Sequence, residues 1–402
     1  MSGLNNDNEG NGDNEEFVVT PWEVRGKIDY DMLVERFGTQ RVDDSLLGMI
    51  ESRVGELHLQ LRRGIVYSHR DFDLILKRFD EGEKFALYTG RGPSGGVHLG
   101  HMLPWFFTKW LQDNFDADLY FQMTDDEKFL FNPDLTLEDT QKFSLDNALD
   151  VMAVGLNPKK TFIMIDTRCS RTLYNLGIKF SKHVTFSTAK AVFGFKNSDN
   201  IGMIFFPTIQ AMPCFLPSLV EGKNVPVLIP ASIDQDPYWR VTRDVAPKIG
   251  FYKPSQLHGK LLPGLSASGK MSASQPETAI FTKDSPEEAR KKIWRAFTGG
   301  RVTIEEQRKY GANPDICAVF AYYYFLFEED DEALKERERR CKTGDLLCGD
   351  CKNDLIERIV KFLREHQKKR EKMKDILDQV LIDDSFFDSR IKSAAERGFP
   401  DG

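Results

Sequence analysis

Short apolar runs alternate with amphipathic segments through the middle of the chain. Between Phe85 and Phe281, the runs FALYT, DLYFQM, TFIMID and VPVLIPA are separated by stretches whose apolar positions have helical spacing. This alternation favours βα units built on a parallel sheet. The pattern therefore predicts an α/β domain over residues 81–284.

Helical patterns occupy the regions on either side of this domain. Upstream, DDSLLGMIESRV begins with a capping-type Asp and DFDLILKRFDEG repeats the amphipathic spacing, which predicts an appended helical region over residues 17–80. Downstream of Asp284, charged amphipathic patterns continue through DLIERIVKFLREHQKKREKMKDILDQVL and strand-like runs end. We therefore expect an all-helical second domain over residues 285–402.

Composition adds limits on size, location and partners. A chain of 402 residues with 41% hydrophobic content can form a large core, in about two domains. No uncharged apolar run reaches membrane-spanning length, no signal-peptide pattern begins the chain, and six cysteines give no dense disulfide framework. These features predict a cytoplasmic protein with free thiols and no membrane partner.

The net charge is unevenly distributed along the chain. Residues 1–16 contain five acidic residues and no Lys or Arg, so most of the formal charge of −7 lies in this tail. The tail has almost nothing apolar to bury, and we expect it to be disordered. The remaining body is close to neutral, so binding of a nucleic acid would require basic residues gathered on one face.

The glycine-rich stretch TGRGPSGGVHLGH, residues 89–101, lies between the first strand and the helix predicted for LGHMLPWFFTKWLQDNF. A strand, a glycine loop and a helix start bring backbone N–H groups and the positive helix end to a phosphate. His98 and His101 can face one ligand there, and Pro104 is expected near the first helical turn. The spacing matches neither the dinucleotide-binding nor the P-loop pattern, and an ordinary surface loop is the alternative.

A second stretch, SASGKMSAS at residues 266–274, surrounds Lys270 with four serines and a glycine. Such a segment could bring an ammonium group onto a polyphosphate, or it could be a solvated Ser-rich loop.

Taken together, HLGH after the first strand and KMSAS after the last resemble the HIGH and KMSKS signatures of class I aminoacyl-tRNA synthetases. The segments YTGRGPS, FQMTDDEKF, KHVTF, FGFKNSDNIGMIFFPTIQAMP, IPASIDQDPYWRVTRDVAPKIG and TGGRVTIEEQRKYG extend the likeness to tryptophanyl-tRNA synthetases of the archaeal and eukaryotic cytoplasmic type, over roughly residues 80–380. The resemblance implies an α/β fold: a Rossmann-like parallel-sheet catalytic domain, a C-terminal all-helical anticodon-binding domain and an N-terminal helical appendage.

The resemblance also implies a reaction and its partners. L-tryptophan would be activated with ATP to tryptophanyl-adenylate and pyrophosphate, and then transferred to the 3′ end of tRNA(Trp). Mg²⁺ would bridge the phosphates, with no protein ligand that the sequence identifies, and the enzyme would be a homodimer. The alternatives are a tyrosyl-tRNA synthetase of the same subclass and a non-catalytic tRNA-binding or signalling paralogue.

Roles for individual residues follow from the same resemblance. His98 and His101 would contact the ATP phosphates and stabilise the charge that develops as pyrophosphate leaves. Lys270 would close over the phosphates, and because Ala273 stands where the family pattern has its final lysine, more of the loop's function falls on Lys270. The residues that would add secondary hydrogen bonds in this catalytic segment are Ser272 and Ser274.

Two further groups complete the implied site. The residues that would join His98, His101 and Lys270 in binding ATP are Arg91, Gly92, Gly100, Asp234 and Met271. The residues that would bind tryptophan are Tyr88 and Gln122 at the indole N–H, with Glu127, Gln210 and Gln235 around the amino group. Without the resemblance, Tyr88 and Gln122 would be interpreted as core-facing strand residues and Glu127 as part of a solvated turn.

Other patterns are interpreted as structural. The cysteines of CKTGDLLCGDCK, at positions 341, 348 and 351, include a C-x-x-C step, but no second pair supplies a fourth ligand, so no metal site is expected. The aromatic run YYYFLF at residues 322–327 is expected in a helix core. The basic run REHQKKREKMK is interpreted as a solvated helix face that could contact tRNA.

Overall fold

A mixed sheet of eight strands forms the centre of the computed structural model, which describes residues 18–19, 24–25, 29–267, 271 and 275–396, with side chains from 29 to 391 in these ranges. The tail at residues 1–16 therefore lies outside the described residues, as do Lys270, Ser272 and Ser274. The strands are β1 (Val18–Val19), β2 (Val24–Arg25), β3 (Gln40–Arg41), β4 (Val66–Arg70), β5 (Ala86–Arg91), β6 (Asp118–Met123), β7 (Thr161–Ile165), β8 (Val227–Ser232), β9 (Ser255–Gly259) and β10 (Leu381–Ile382).

Helices surround the sheet. The helices are α1 (Tyr30–Phe37), α2 (Asp44–Val54), α3 (Leu59–Arg62), α4 (Phe72–Asp80), α5 (Leu99–Phe115), α6 (Asp125–Phe131), α7 (Leu137–Ala153), α8 (Ser170–Ser181), α9 (Phe186–Phe193), α10 (Ile201–Ala211), α11 (Leu216–Glu221), α12 (Asp236–Val245), α13 (Pro286–Arg295), α14 (Ile304–Tyr310), α15 (Ala318–Tyr322), α16 (Asp331–Thr343), α17 (Cys348–Met373), α18 (Leu377–Val380) and α19 (Asp384–Glu396). A π-helical turn spans Tyr323–Phe327. Within the described residues, no helix is both long and apolar enough to cross a bilayer.

The strand order is β10-β7-β6-β5-β8-β9-β4-β3, and the strands from β10 to β9 run parallel. The chain lays β6 and β7 on one side of β5 and then crosses to place β8 on the other side. Ligands of parallel α/β sheets bind at the carboxyl ends of the strands where the order reverses in this way. The fold therefore places a crevice between the ends of β5 and β8.

The predicted strands are buried on both faces of the sheet. Leu87 and Leu119 point into one large apolar cluster, whereas their neighbours Tyr88 and Tyr120 point into a second cluster on the opposite face. This division follows from the two-residue period of side chains along a strand. The expected strands FALYT, DLYFQM, TFIMID and VPVLIPA correspond to β5, β6, β7 and β8, so the α/β fold class is confirmed.

Both flanking regions, the appended helical region and the all-helical C-terminal domain of the predictions, also contribute strands at the sheet edges. Within residues 17–80, β4 pairs antiparallel with β9, β3 pairs antiparallel with β4, and at the other edge β10 adds two residues beside β7. A free sheet edge would expose unpaired N–H and C=O groups, and these short strands cover both edges. Between residues 285 and 396, which the structure describes, Leu381–Ile382 is the only strand. The domain boundaries themselves stay predictions.

Helix α17 joins the helical region to the α/β domain through buried polar contacts with α7. His366 Nε2 lies 2.9 Å from Asp150 Oδ1, and Arg370 Nε lies 3.2 Å from Asp150 Oδ2. Arg370 also pairs with Asp146. Part of the basic run is therefore an internal anchor, while the lysines that remain exposed in it are Lys368, Lys369, Lys372 and Lys374.

The aromatic and cysteine patterns lie in this helical region. Tyr322 and Tyr323 are fully buried, which confirms the core interpretation of YYYFLF. Burial raises the pKa of Cys341 to about 12, and the thiols of Cys317, Cys348 and Cys351 are close enough to contribute. All are free cysteines. Among the described residues, no three His, Cys, Asp or Glu side chains are placed to hold a metal ion.

Candidate active site

The glycine loop and the start of α5 form the floor of the crevice. His98 is the N-cap of α5, and its backbone N–H donates to His101 Nδ1 at 3.2 Å. The two imidazole rings stack with 3.4 Å between centroids. Because His101 Nδ1 accepts a hydrogen bond, the neutral ring carries its proton on Nε2. His98 Nδ1 is buried and has no partner among the described residues.

Both imidazoles are neutral at physiological pH. Burial, together with the nearby Arg91 guanidinium, lowers the pKa of His98 to about 3 and the pKa of His101 well below its usual value. Burial also lowers the pKa of Arg91 to about 10, so its side chain keeps its positive charge. In this pocket the histidines can donate or accept hydrogen bonds, and the fixed cationic charge comes from Arg91.

The glycines of the loop permit close packing rather than an unusual backbone conformation. Among the loop glycines, none has a left-handed φ. A Cβ on Gly90 would lie 2.8 Å from the backbone oxygen of Gln122, and one on Gly92 would lie 2.0 Å from Lys128 Cε. A side chain at either position would therefore displace a neighbouring strand or the lysine beside it.

The segment that follows the second signature lies against the first. Leu99 N–H donates to the Ile280 carbonyl at 3.0 Å, and Thr282 N–H donates to the Val97 carbonyl at 2.9 Å. A Cβ on Gly100 would lie 2.8 Å from Met271 Sδ. Residues 97–100 are therefore neighbours of Met271 and of the segment around Ile280, which are far away in sequence.

The position of Pro104 in α5 differs from the predicted one. It lies inside α5, beyond the first turn, because the helix already begins at Leu99. At that position the missing N–H removes the helical hydrogen bond to the Gly100 carbonyl. The expectation that Pro104 lies near the first turn, where its missing N–H would cost little, is wrong, since five helical residues precede it.

Tyr88, Gln122 and Gln210 form one hydrogen-bonded group on the crevice wall. Tyr88 Oη donates to Gln122 Oε1 at 2.5 Å and accepts from Gln210 Nε2 at 3.0 Å. The Gln210 carbonyl oxygen also lies 2.9 Å from Tyr88 Oη. Trp239 packs edge-on against Tyr88, with 5.3 Å between ring centroids. These side chains make a polar spot in an otherwise aromatic wall.

Glu127 and its neighbours lie at the start of α6. The Glu127 carboxylate is buried, accepts from Thr124 Oγ1 at 2.9 Å and pairs with Lys128 Nζ at 2.8 Å. The charge of Glu127 helps to retain the proton of Arg91. Burial raises the pKa of Tyr238 well above its usual value, and the charges of Glu127 and Asp234 add to this shift.

Asp234 and Gln235 follow β8 on the opposite side of the crevice. Gln235 Nε2 donates to Asp234 Oδ2 at 2.8 Å. The other carboxylate oxygen, Asp234 Oδ1, is buried and has no partner among the described residues. Burial raises the pKa of Asp234 to about 6. An acceptor held without a partner is suited to a ligand hydroxyl or N–H group.

Two further residues belong to the site but are absent from the sequence-based set. Asp166 accepts from Gln122 Nε2, and Lys128 lies between Glu127 and Gly92. A signal for Asp166 was available, because it follows strand β7 directly and parallel strands end at a common edge. No comparable sequence signal identifies Lys128.

Comparisons with known proteins identify the family of this chain. The sequence model of the family described as tRNA synthetases class I (W and Y) matches residues 80–364. A tryptophan–tRNA ligase of Pyrobaculum aerophilum is 49% identical over 365 residues, which are 91% of this chain and 97% of that protein. The ligase of Thermococcus sibiricus is 53% identical over 367 residues, 90% of this chain and 94% of that protein.

Solved structures give the same result. The crystal structure of Plasmodium falciparum tryptophanyl-tRNA synthetase matches with a TM-score of 0.83 and 37% identity, over 91% of this chain and 99% of that chain.

Proposed function

Because this chain belongs to the class I tRNA synthetases for tryptophan and tyrosine, as a tryptophan–tRNA ligase, we propose that its reaction takes place in the crevice at the carboxyl ends of β5, β6 and β8. The enzyme uses ATP to join tryptophan to tRNA. The tyrosine-specific and non-catalytic alternatives are not favoured, since relatives that match along nearly the whole chain are tryptophan–tRNA ligases.

The observation that carries the site assignment is the Tyr88–Gln122 pair. The side chain of tryptophan offers one polar group, the indole N–H, and needs an acceptor in an apolar pocket. Gln122 Oε1 and Tyr88 Oη are acceptors beside the aromatic Trp239. Glu127, Gln210 and Gln235 would hold the amino group of tryptophan.

The ATP side of the site lies around the start of α5. His98 and His101, both neutral, would donate or accept hydrogen bonds at the phosphates, and Arg91 would supply positive charge. Asp234 Oδ1 would accept from a ribose hydroxyl. Gly92, Gly100 and Met271 would complete the ATP side; a Cβ on Gly100 would lie 2.8 Å from Met271 Sδ.

Catalysis then requires positioning more than covalent participation by the protein. The tryptophan carboxylate attacks the α-phosphorus of ATP, and pyrophosphate leaves with the bonding electron pair. Hydrogen bonds from the α5 start and the ammonium of Lys270 would stabilise the charge on pyrophosphate. In the second step, the terminal ribose hydroxyl of tRNA attacks the adenylate carbonyl, and AMP leaves.

Magnesium is proposed as a companion of ATP rather than as a protein-bound ion. In the part of the chain that the structure describes, no group of three carboxylate, imidazole or thiol side chains could coordinate it. Phosphate oxygens would then supply most ligands. We therefore assign no catalytic step to a protein-held metal.

We propose that the chain forms a homodimer whose interface includes α6, α8 and α10. We also propose that the enzyme is cytoplasmic. Helix α10 packs on both α6 and α8, and together they expose large apolar side chains, which in a monomer would be an unusual patch. The exposed residues are Phe129, Phe131, Tyr174, Ile178 and Ile201. Sedimentation of the wild type should give a dimer, and Ile178→Lys should give a monomer. A monomeric wild type would exclude the dimer, and fractionation of native cells tests the location.

The test of the function is pyrophosphate exchange with each of the twenty amino acids. We expect tryptophan alone to support rapid exchange. We also expect tRNA charging to weaken with salt more steeply than exchange does, because contacts with RNA phosphates release counterions. Exchange driven best by tyrosine, or no exchange at all, would overturn the assignment.

A further inference from the structure

The amide of Gln122 is held from both sides. Its oxygen accepts from Tyr88 Oη at 2.5 Å, and its Nε2 lies 2.9 Å from both carboxyl oxygens of Asp166. Gln122 is fully buried, and Asp166 is only 2% exposed. The sheet register explains this meeting: Gln122 pairs with Met164, and Asp166 lies two residues further along the same face.

Tyr88 cannot by itself fix which end of the amide faces the pocket. Its hydroxyl lies 2.9 Å from a second acceptor, the Gln210 carbonyl. If the Gln122 amide turned over, Tyr88 could donate to that carbonyl and accept from the amide nitrogen. An amide has two nearly isosteric orientations, and its hydrogen-bond partners decide between them. The remaining partner of the Gln122 amide is Asp166. Its carboxyl oxygens accept hydrogen bonds from the amide nitrogen and do not attract the amide oxygen.

Asp166 stays fixed because it is itself part of a buried cluster. Burial, and then the charge of Asp126, raise the pKa of Asp166 well above its usual range. Burial likewise raises the pKa of Asp126, which shares a hydrogen bond with Asp166, and Asp125 adds to both shifts. A hydrogen bond between two carboxyl groups requires that one carries the proton. The second oxygen of Asp166 then remains an acceptor for Gln122.

We propose that Asp166 is a positioning residue for the selection of tryptophan, because it holds the Gln122 amide with Oε1 directed at Tyr88 and the indole N–H. The inference rests on the proposed assignment of Tyr88 and Gln122 to the indole. Without Asp166 the amide can turn over, and its N–H groups then oppose the indole N–H. A site with a mismatched donor loses its preference for the substrate that carries the N–H.

The experiment compares tryptophan with 3-benzothienylalanine, in which sulfur replaces the indole N–H. Asp166→Leu removes both acceptor oxygens and keeps the branched shape of the side chain, with methyl groups in place of the oxygens. In pyrophosphate exchange, we expect its kcat/KM ratio for tryptophan over the analogue to fall about 10-fold, through the KM for tryptophan. The KM for ATP and the kcat/KM for the analogue should stay near the wild-type values. General structural damage would change both quantities, so they distinguish a positioning role from a loss of structure.

Asp166→Asn is the matched control. Its amide oxygen can accept from Gln122 while its N–H₂ donates to Asp126, which reproduces the protonated carboxyl. The selectivity ratio should therefore stay within about 3-fold of the wild type. Loss of selectivity in Asp166→Asn equal to that in Asp166→Leu would overturn the inference, as would a normal ratio in Asp166→Leu.

A double variant keeps the test decisive if Asp166→Leu does not fold. Gln122→Leu combined with Asp166→Leu replaces both partners with apolar groups, which costs less than stranding one of them. If Asp166 acts through Gln122, this double variant has the same ratio as Gln122→Leu alone, whereas a further loss would contradict the inference. A wild type that accepts the analogue as readily as tryptophan would instead show that the proposed pocket is wrong.

Discussion

Removing the two acceptors at the proposed indole site should lower activity by different amounts. Tyr88→Phe deletes the hydroxyl that donates to Gln122 Oε1 and accepts from Gln210 Nε2. The indole N–H would still find Gln122 Oε1. We therefore expect kcat/KM for tryptophan to fall about 5-fold, which corresponds to ~1 kcal/mol for one neutral hydrogen bond.

Gln122→Leu should cause the larger loss. It removes the second acceptor, and it also leaves the buried Asp166 without its hydrogen-bond donor Nε2. We expect kcat/KM to fall about 10- to 100-fold, or ~1.4 to 2.8 kcal/mol. The free energy of unfolding should fall by about 1 to 3 kcal/mol, because a buried polar group is stranded. Since both residues serve one N–H group, the double variant should lose less than the sum of the single losses.

Steady-state pyrophosphate exchange at saturating ATP measures these effects, with thermal unfolding to follow stability. Tyr322→Phe is the control, because this fully buried tyrosine lies in the helical region and its hydroxyl has no partner among the described residues. It should leave kcat/KM unchanged. The reasoning would be refuted if Tyr88→Phe and Gln122→Leu kept wild-type kcat/KM, or if the double variant showed strictly additive losses.

Three other variants test separate features. Lys270→Ala should slow adenylate formation and leave tryptophan affinity nearly intact, since charge on pyrophosphate develops in the transition state. Rapid-quench experiments measure the rate, and equilibrium titration measures the affinity. A loss of affinity equal to the loss of rate would count against the role of Lys270. Gly90→Ala should destabilise the fold far more than Gly95→Ala in urea unfolding. The new Cβ at position 90 would lie 2.8 Å from a backbone oxygen of the neighbouring strand, whereas a Cβ at position 95 would have no atom within 4 Å. Similar unfolding midpoints for the two variants would contradict the packing argument. Arg370→Met should lower the free energy of unfolding by about 3 kcal/mol, because it leaves the buried Asp150 carboxylate poorly paired. Chemical denaturation measures the change in stability, and an unchanged midpoint would show that the ion pair contributes little.

The sequence by itself determined the centre of the fold and most residues of the proposed site. Mostly apolar runs such as DLYFQM predict strands when helical segments separate them, because strands buried on both faces of a parallel sheet are largely apolar. The sequence also predicted the start of α5, since a glycine-rich stretch followed by an apolar helical pattern marks it locally. These features depend on neighbours in sequence, which a one-dimensional pattern records.

Tertiary structure decided what depends on residues distant in the chain. Strands β3 and β10 have only two residues each, and β4 mixes polar with apolar residues, so no local pattern identifies them. They form at the edges of a sheet whose other strands come from distant parts of the chain. The low pKa of His98 comes from burial beside Arg91. Asp166 meets Gln122 across two strands whose register no local pattern specifies. Burial and hydrogen-bond partners are properties of the packed chain, so only the packing could assign these residues their environment.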